Sequence, residues 1–176
     1  MSTPFLFNKV TRAWQPSLLL HFYFFVEIFM RTEIQQIHPL SIPLHLRQGL
    51  EELCILLNKE DTRLAKEVLQ VEREGIPYVG LQSHFIQDSM VMVATIKSDV
   101  VGFLSYFDDG SKRAIDLVCV HPEYRRQGIA KQLVLSALEN APTFVDVSVV
   151  MVNEAGRALY ESLGFKPFVM TLTKVN

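Results

Sequence analysis

The chain has 176 residues, 49% of them apolar, a formal net charge of -2 and a pI near 6.2. That length and composition suit one domain with a real core, and the charge excludes a bulk affinity for nucleic acid or an anionic membrane. The two cysteines, Cys54 and Cys119, form no C-x-x-C and read as buried, reduced thiols, which suits a cytoplasmic protein. The five histidines include no pair spaced four apart, so no metal site is expected.

Residues 1–29 differ in character from the rest. Leu18–Met30 is an apolar run interrupted by His21 and Glu27, too short for the roughly 20 residues of a membrane span. A signal peptide fits poorly, because Glu27 intrudes and no small-residue cleavage site follows. Residues 1–29 are read as an N-terminal extension, the product of an upstream start codon, with residues 30–176 as the domain proper. The alternative is an apolar arm that packs on its own domain or on a partner.

Arg31–Ile37 is expected to be the first strand. From Ser41 to Lys59, apolar residues at Leu46, Leu50, Leu53, Cys54 and Leu57 follow a helical spacing. A second helix is expected from Thr62 to Gly75, stopped by Gly75-Ile76-Pro77. Val91–Ile96, Val100–Phe107 and Ala114–Val120 are β-rich segments joined by turns at Lys97-Ser98-Asp99 and Asp108-Asp109-Gly110, hence an antiparallel meander. The helix Gly128–Asn140 carries an apolar stripe through Ile129, Leu133, Val134 and Ala137 and ends at Pro142. Phe144–Val152 is expected to be a strand covered on both faces. Asn153 caps a further helix that Gly164 closes, and Phe168–Thr173 is expected to be a last strand.

The segment after Val120 is the most informative. An apolar strand runs into a short polar turn, Arg125-Arg126-Gln127-Gly128, and then directly into a helix. Free N–H groups at a helix start form an anion site, and two arginines add forked donors suited to phosphate oxygens. The pattern therefore points to a ligand carrying a pyrophosphate. Neither G-x-G-x-x-G nor a P-loop lysine pattern occurs, which disfavours a nucleotide-binding protein of those types. Ser105 lacks the second glycine of a nucleophile elbow, so a hydrolase triad is disfavoured too.

Val120-His121-Pro122-Glu123-Tyr124-Arg125-Arg126-Gln127-Gly128-Ile129-Ala130 resembles the V-x-P-x-x-R/Q-x-x-G-x-G/A signature of the GNAT superfamily of acyl-coenzyme A-dependent N-acyltransferases. The segment Asn153–Phe165 resembles that family's second signature, N-x-x-A-x-x-x-Y-x-x-x-G-F. The resemblance covers about residues 30–176. It implies an α/β (α+β) fold with a mixed, mostly antiparallel central sheet, splayed at the cofactor site and flanked by about four helices. The implied reaction passes an acetyl group from acetyl-CoA to a primary amine by direct attack in a ternary complex, with no metal. By resemblance, Val118, Cys119 and Val120 line the pantetheine arm, and a backbone N–H near Cys119 or Val120 meets the oxyanion. Arg125, Arg126, Gln127, Gly128, Ile129 and Ala130 cradle the pyrophosphate. Asn153 caps its helix and also bonds toward the arm.

Tyr160 has two readings, a half-buried tyrosine on an apolar helix face or, by resemblance, the general acid for the departing thiolate. Many members of the family carry a glutamate base where this chain has Ala114. Asp116, two residues on and on the same face by alternation, is the candidate substitute. The acceptor is a small-molecule amine or a protein amine, and the mixed charges of residues 41–78 do not choose between them. Two further readings stay open, a homodimer and a coenzyme A-binding module that no longer catalyses.

Overall fold

The computed structural model describes residues 32–70, 80–85 and 88–174. The readings of residues 1–29, of the Met30 domain start and of the Gly75-Ile76-Pro77 stop lie outside them. The elements in chain order are β1 (Thr32–Ile37), α1 (Leu44–Leu69), the single-turn α2 (Leu81–His84), β2 (Met90–Ile96), β3 (Asp99–Asp108), β4 (Lys112–Val120), α3 (Ile129–Leu138), β5 (Phe144–Val147) and α4 (Glu154–Ser162). The five strands form one sheet in sequence order. β1 to β4 pair antiparallel, and β5 joins β4 in parallel. The expected meander and the mixed, mostly antiparallel sheet are therefore present, with three full helices and one helical turn among the described residues.

Alternation splits the sheet's side chains between two cores. Met92, Ala94, Leu104 and Tyr106 face α3 and α4, packing with Ile129, Leu133, Val134 and Tyr160. Val91, Val93, Phe103 and Cys119 face α1 and α2, packing with Leu46, Leu50, Leu53 and Phe85. Arg113, at the start of β4, ties sheet to helix. Its guanidinium grips Asp108 through Nε and Nη2 at 2.8 Å each, donates to the Ala137 carbonyl at the end of α3, and lies 4.0 Å from the Tyr106 ring centre.

Three expectations are corrected. The two helices expected over Ser41–Lys59 and Thr62–Gly75 are, to Leu69, one helix. The polar Lys59–Thr62 stretch reads as a break, yet Thr62 Oγ1 donates to the Asn58 carbonyl at 2.7 Å and Arg63 bridges Glu60 and Glu67. Local pairs of this kind carry a helix across a segment without apolar spacing. The strand expected over Phe144–Val152 ends at Val147 and is not covered on both faces: Phe144 is 68% exposed. The last strand, Phe168–Thr173, is not formed, and Phe168 is 92% exposed. β-propensity records fit to a neighbouring strand, and this segment has none among the described residues.

Candidate functional site

The site begins with a fault in β4. Ser105 opposes Leu117 while the next residue of β3, Tyr106, opposes Ile115, so Asp116 has no partner across the pair. One extra residue of this kind is a β-bulge, which bends its strand. On the other side, the β4–β5 ladder runs from Lys112↔Phe144 to Ile115↔Val147 and stops there. From Asp116 to Val120 the outer edge of β4 has no strand neighbour among the described residues. The sheet thus opens at the bulge, and Val118, Cys119 and Val120 form one lip of the gap.

The bulge also corrects the alternation argument for Asp116. Ile115 faces the α3–α4 core together with Val118 and Val120, so the two-residue period fails across Asp116. Asp116 stands where the β4–β5 ladder stops, and alternation from Ala114 no longer assigns its face. It reaches solvent, but withdrawal of water by the surrounding sheet raises its carboxyl pKa above the ordinary 3.8.

After Val120 the chain makes one 3-10 turn, Pro122–Tyr124, and enters α3 through two left-handed residues, Arg126 (φ 64°) and Gly128 (φ 83°). Gly128 is the N-cap and supplies no side-chain acceptor, so the N–H groups of the first turn of α3 have no cap. Three buried polar atoms without a protein partner gather around this entry, His121 Nδ1, Gln127 Oε1 and Gln132 Nε2. The amide of Gln127 meanwhile donates to the Glu123 carbonyl at 3.2 Å, which braces the loop. Arg125 turns back rather than outward, donating from Nε to the Val120 carbonyl at 3.0 Å. A hydrogen bond from Arg63, and in smaller part the charge of Arg125, holds the Glu60 carboxyl of α1 below its usual range.

Tyr160 is placed by the end of α4. Gly164 is left-handed (φ 88°), its N–H donates to the Glu161 carbonyl at 3.1 Å, and the Phe165 N–H reaches the Tyr160 carbonyl at 3.1 Å. This double cap brings the Phe165 ring to 5.4 Å from the Tyr160 ring. Tyr160 is buried in the core that holds Val120, Ile129 and Leu133, and burial pushes its phenol up to about 12. At the other end of α4, Asn153 Oδ1 accepts the Gly156 N–H at 2.9 Å. Gly156 stands where the second signature has alanine, and a Cβ there would lie 3.0 Å from Asn153 Nδ2.

Cys119 is buried with its Sγ 3.5 Å from the Leu53 carbonyl, and burial, chiefly, pushes its thiol up to about 11. Cys54 is pushed to about 12, and both thiols are free. Such thiols hold little thiolate at neutral pH. Among the described residues, no group of three or more His, Cys, Asp or Glu could hold a metal ion, and no helix is long and apolar enough to cross a membrane.

The β4–β5 ladder thus stops at a bulge, on the strand that runs into the loop of the first signature and the uncapped start of α3. Residues 87–167 match the acetyltransferase (GNAT) domain family. That segment, just under half of the chain, holds both signatures. Among solved structures it resembles an aminoglycoside acetyltransferase from an uncultured soil metagenomic sample (TM-score 0.55, 20% identity, covering 85% of this chain and 99% of that one). It also resembles a ribosomal-protein-alanine N-acetyltransferase from Brucella melitensis biovar Abortus 2308 (TM-score 0.53, 21% identity, 82% and 99% covered). A third likeness is to the aminoglycoside N-acetyltransferase AAC(6')-Iy in complex with CoA (TM-score 0.53, 16% identity, 82% and 94% covered). At these identities the likeness is one of fold. No curated protein matches the sequence.

Proposed function

We propose that this protein is an acetyl-CoA-dependent N-acetyltransferase that acts on a primary amine by direct attack in a ternary complex. The observation that carries the reading is the coincidence of the Asp116 bulge with the end of the β4–β5 ladder, which leaves the edge at Val118–Val120 open beside the uncapped start of α3. The pantetheine arm lies in that gap against the backbone of Val118, Cys119 and Val120. The N–H groups of Arg125, Arg126, Gln127, Gly128, Ile129 and Ala130 cradle the pyrophosphate. Gly128 suits this work because its left-handed backbone carries no Cβ toward the anion. Asn153 uses Oδ1 as a helix cap, and its Nδ2 donates toward the arm.

The thioester supplies an activated acetyl group. Asp116, at the apex, takes a proton from the acceptor's ammonium directly or through water, leaving the neutral amine that attacks the thioester, and its raised pKa makes it a better base than an ordinary aspartate. Tyr160 holds its proton at neutral pH, because burial keeps the phenol neutral, and donates it as charge forms on the departing sulfur. An amine of an aminoglycoside-like small molecule and an amine of a protein are both within this chemistry.

Calorimetric titration with acetyl-CoA, followed by a free-thiol assay over a panel of amines, tests the proposal. Saturable binding and thiol release with at least one amine are expected. Absence of binding overturns the donor site. Binding without turnover on any amine favours a coenzyme A-binding module, the reading that Ala114 in place of the usual glutamate supports.

A further inference from the structure

In an antiparallel pair, successive residues of a strand turn their N–H and C=O groups alternately toward the partner and away from it. The His121 N–H donates to the Val101 carbonyl of β3 at 2.9 Å. Counting back along β4, the backbone groups of Val120 therefore point outward, those of Cys119 toward β3, and those of Val118 outward again. Gly102 of β3 agrees, since a Cβ there would lie 3.1 Å from the Cys119 carbonyl oxygen. The β4–β5 ladder has already stopped at Ile115, so the outward groups of Val118 and Val120 face the gap.

One of these groups is taken. The Val120 carbonyl accepts the Nε–H of Arg125 at 3.0 Å. Arg125 belongs to the loop that ends at the uncapped start of α3, yet its side chain runs inward to the lip. Its charge is felt there: the Cys119 thiol, raised chiefly by burial, is lowered in part by Arg125.

We infer that the Arg125 side chain is a latch on the donor gap, holding the Val120 carbonyl in the free protein and releasing it to a donor that brings phosphate. Arg125 thereby selects coenzyme A thioesters over thioesters that offer the pantetheine arm alone. The inference rests on the donor site proposed above. A guanidinium bonds a phosphate oxygen more strongly than a neutral carbonyl. Pyrophosphate at the start of α3 draws Arg125 off Val120, and the freed carbonyl accepts an amide N–H of the arm. A donor without phosphate has no such lever. It must displace a charged group with a neutral amide or leave its own N–H unpaired in the gap, and either weakens binding. The nearby acid of α1 does not empty the seat, because both oxygens of Glu60 are bonded to Arg63.

Two probes test the latch, acetyl-CoA and S-acetylpantetheine, the neutral arm with its thioester and no phosphate. Each is titrated by NMR and calorimetry into wild type and Arg125→Met, which keeps most of the stem and removes the donors. The variant is expected to bind S-acetylpantetheine at least ~10-fold more tightly than wild type, with no gain for acetyl-CoA. A plain phosphate contact leaves S-acetylpantetheine unchanged, and a brace of the lip weakens both ligands on its loss; either result overturns the inference. A second readout needs no variant. The Arg125 Nε–H resonance of the wild type is expected to move on saturation with acetyl-CoA, as its acceptor changes from carbonyl to phosphate. A resonance that stays in place overturns the latch while the donor site stands. Failure of acetyl-CoA to bind the wild type at all is seen by calorimetry beforehand and overturns the donor site and the latch together.

Discussion

Replacing Tyr160 by Phe removes one oxygen from the proposed site and little else. The ring sits 5.4 Å from Phe165 and is packed among Val120, Ile129 and Leu133, contacts that phenylalanine keeps. The cap through Gly164 and Phe165 uses backbone groups and is untouched. Stability is therefore expected to change by less than about 1 kcal/mol, whereas Tyr160→Ala would open a cavity costing about 3–5 kcal/mol and confuse the reading. A general acid typically contributes about 10²- to 10⁴-fold. The leaving group here is a thiol with an ordinary pKa near ~8.5, so its thiolate departs without much help, and the low end applies. The expected outcome is a fall in kcat of about 100-fold, with KM for acetyl-CoA within about threefold of wild type. Free-thiol release, followed from pH 6 to 10 with an acceptor from the amine panel, measures it. With its phenol held up to about 12, the wild type shows no tyrosine ionisation in that range. A Tyr160→Phe enzyme that keeps kcat within about threefold refutes the acid role and leaves Tyr160 a packing residue.

Two further outcomes follow from the electrostatics. Asp116→Asn should lower kcat at least ~10-fold without weakening acetyl-CoA binding. It should also raise the melting temperature slightly at pH 7: the raised pKa of Asp116 means its ionised form disfavours the fold above that pKa, and the gain vanishes near pH 3, where the carboxyl is protonated in both states. Arg113→Ala should cost about 2 kcal/mol, or about 4–8 °C in a thermal melt, through lost bonds to α3 and lost stacking on Tyr106, with acetyl-CoA affinity unchanged. Arg113 depresses the Asp108 pKa, so this stabilisation is present above the ordinary 3.8 and the gap between wild type and variant narrows as pH falls below it.

What the sequence reveals depends on whether an element's partner is local. The stripe of α3 is legible because Ile129, Leu133, Val134 and Ala137 repeat at the helical period against a sheet that is always there. The turn at Lys97–Ser98 is legible because two polar residues between apolar runs accept left-handed backbone, as both do (φ 51° and 74°). The joining of α1 across Lys59–Thr62 is not, since its support is a set of side-chain pairs on a segment without an apolar rhythm. Nor is Phe168–Thr173, whose strand character depends on a neighbour. In the site, the two signatures identify the loop and Tyr160. The bulge at Asp116 and the inward turn of Arg125 arise from cross-strand register and from a carbonyl on β4, neither of which leaves a mark in residue order.

The bulge also allows the opening of the sheet to be tested apart from the chemistry of the carboxylate. Ile115 faces the α3–α4 core and Leu117 the α1–α2 core, so deleting Asp116 joins two residues that already alternate correctly. No side chain upstream or downstream need change face, unlike the usual one-residue slip. The β3–β4 ladder becomes continuous, and β4 loses the bend that carries it away from β5. The β4–β5 ladder is then free to extend past Ile115↔Val147, filling the edge groups of Val118–Val120 that the pantetheine arm would use. Loss of two or three such hydrogen bonds, at about 1 kcal/mol each, together with closure of the gap, should weaken acetyl-CoA binding at least ~100-fold. The fold should survive, with melting no lower than wild type, because an unpaired residue has been removed from a ladder. Asp116→Asn keeps the bulge and should keep the affinity, so comparing the two by calorimetry separates backbone geometry from charge. If the deletion variant folds and binds acetyl-CoA as tightly as wild type, the gap at Asp116 does not hold the donor.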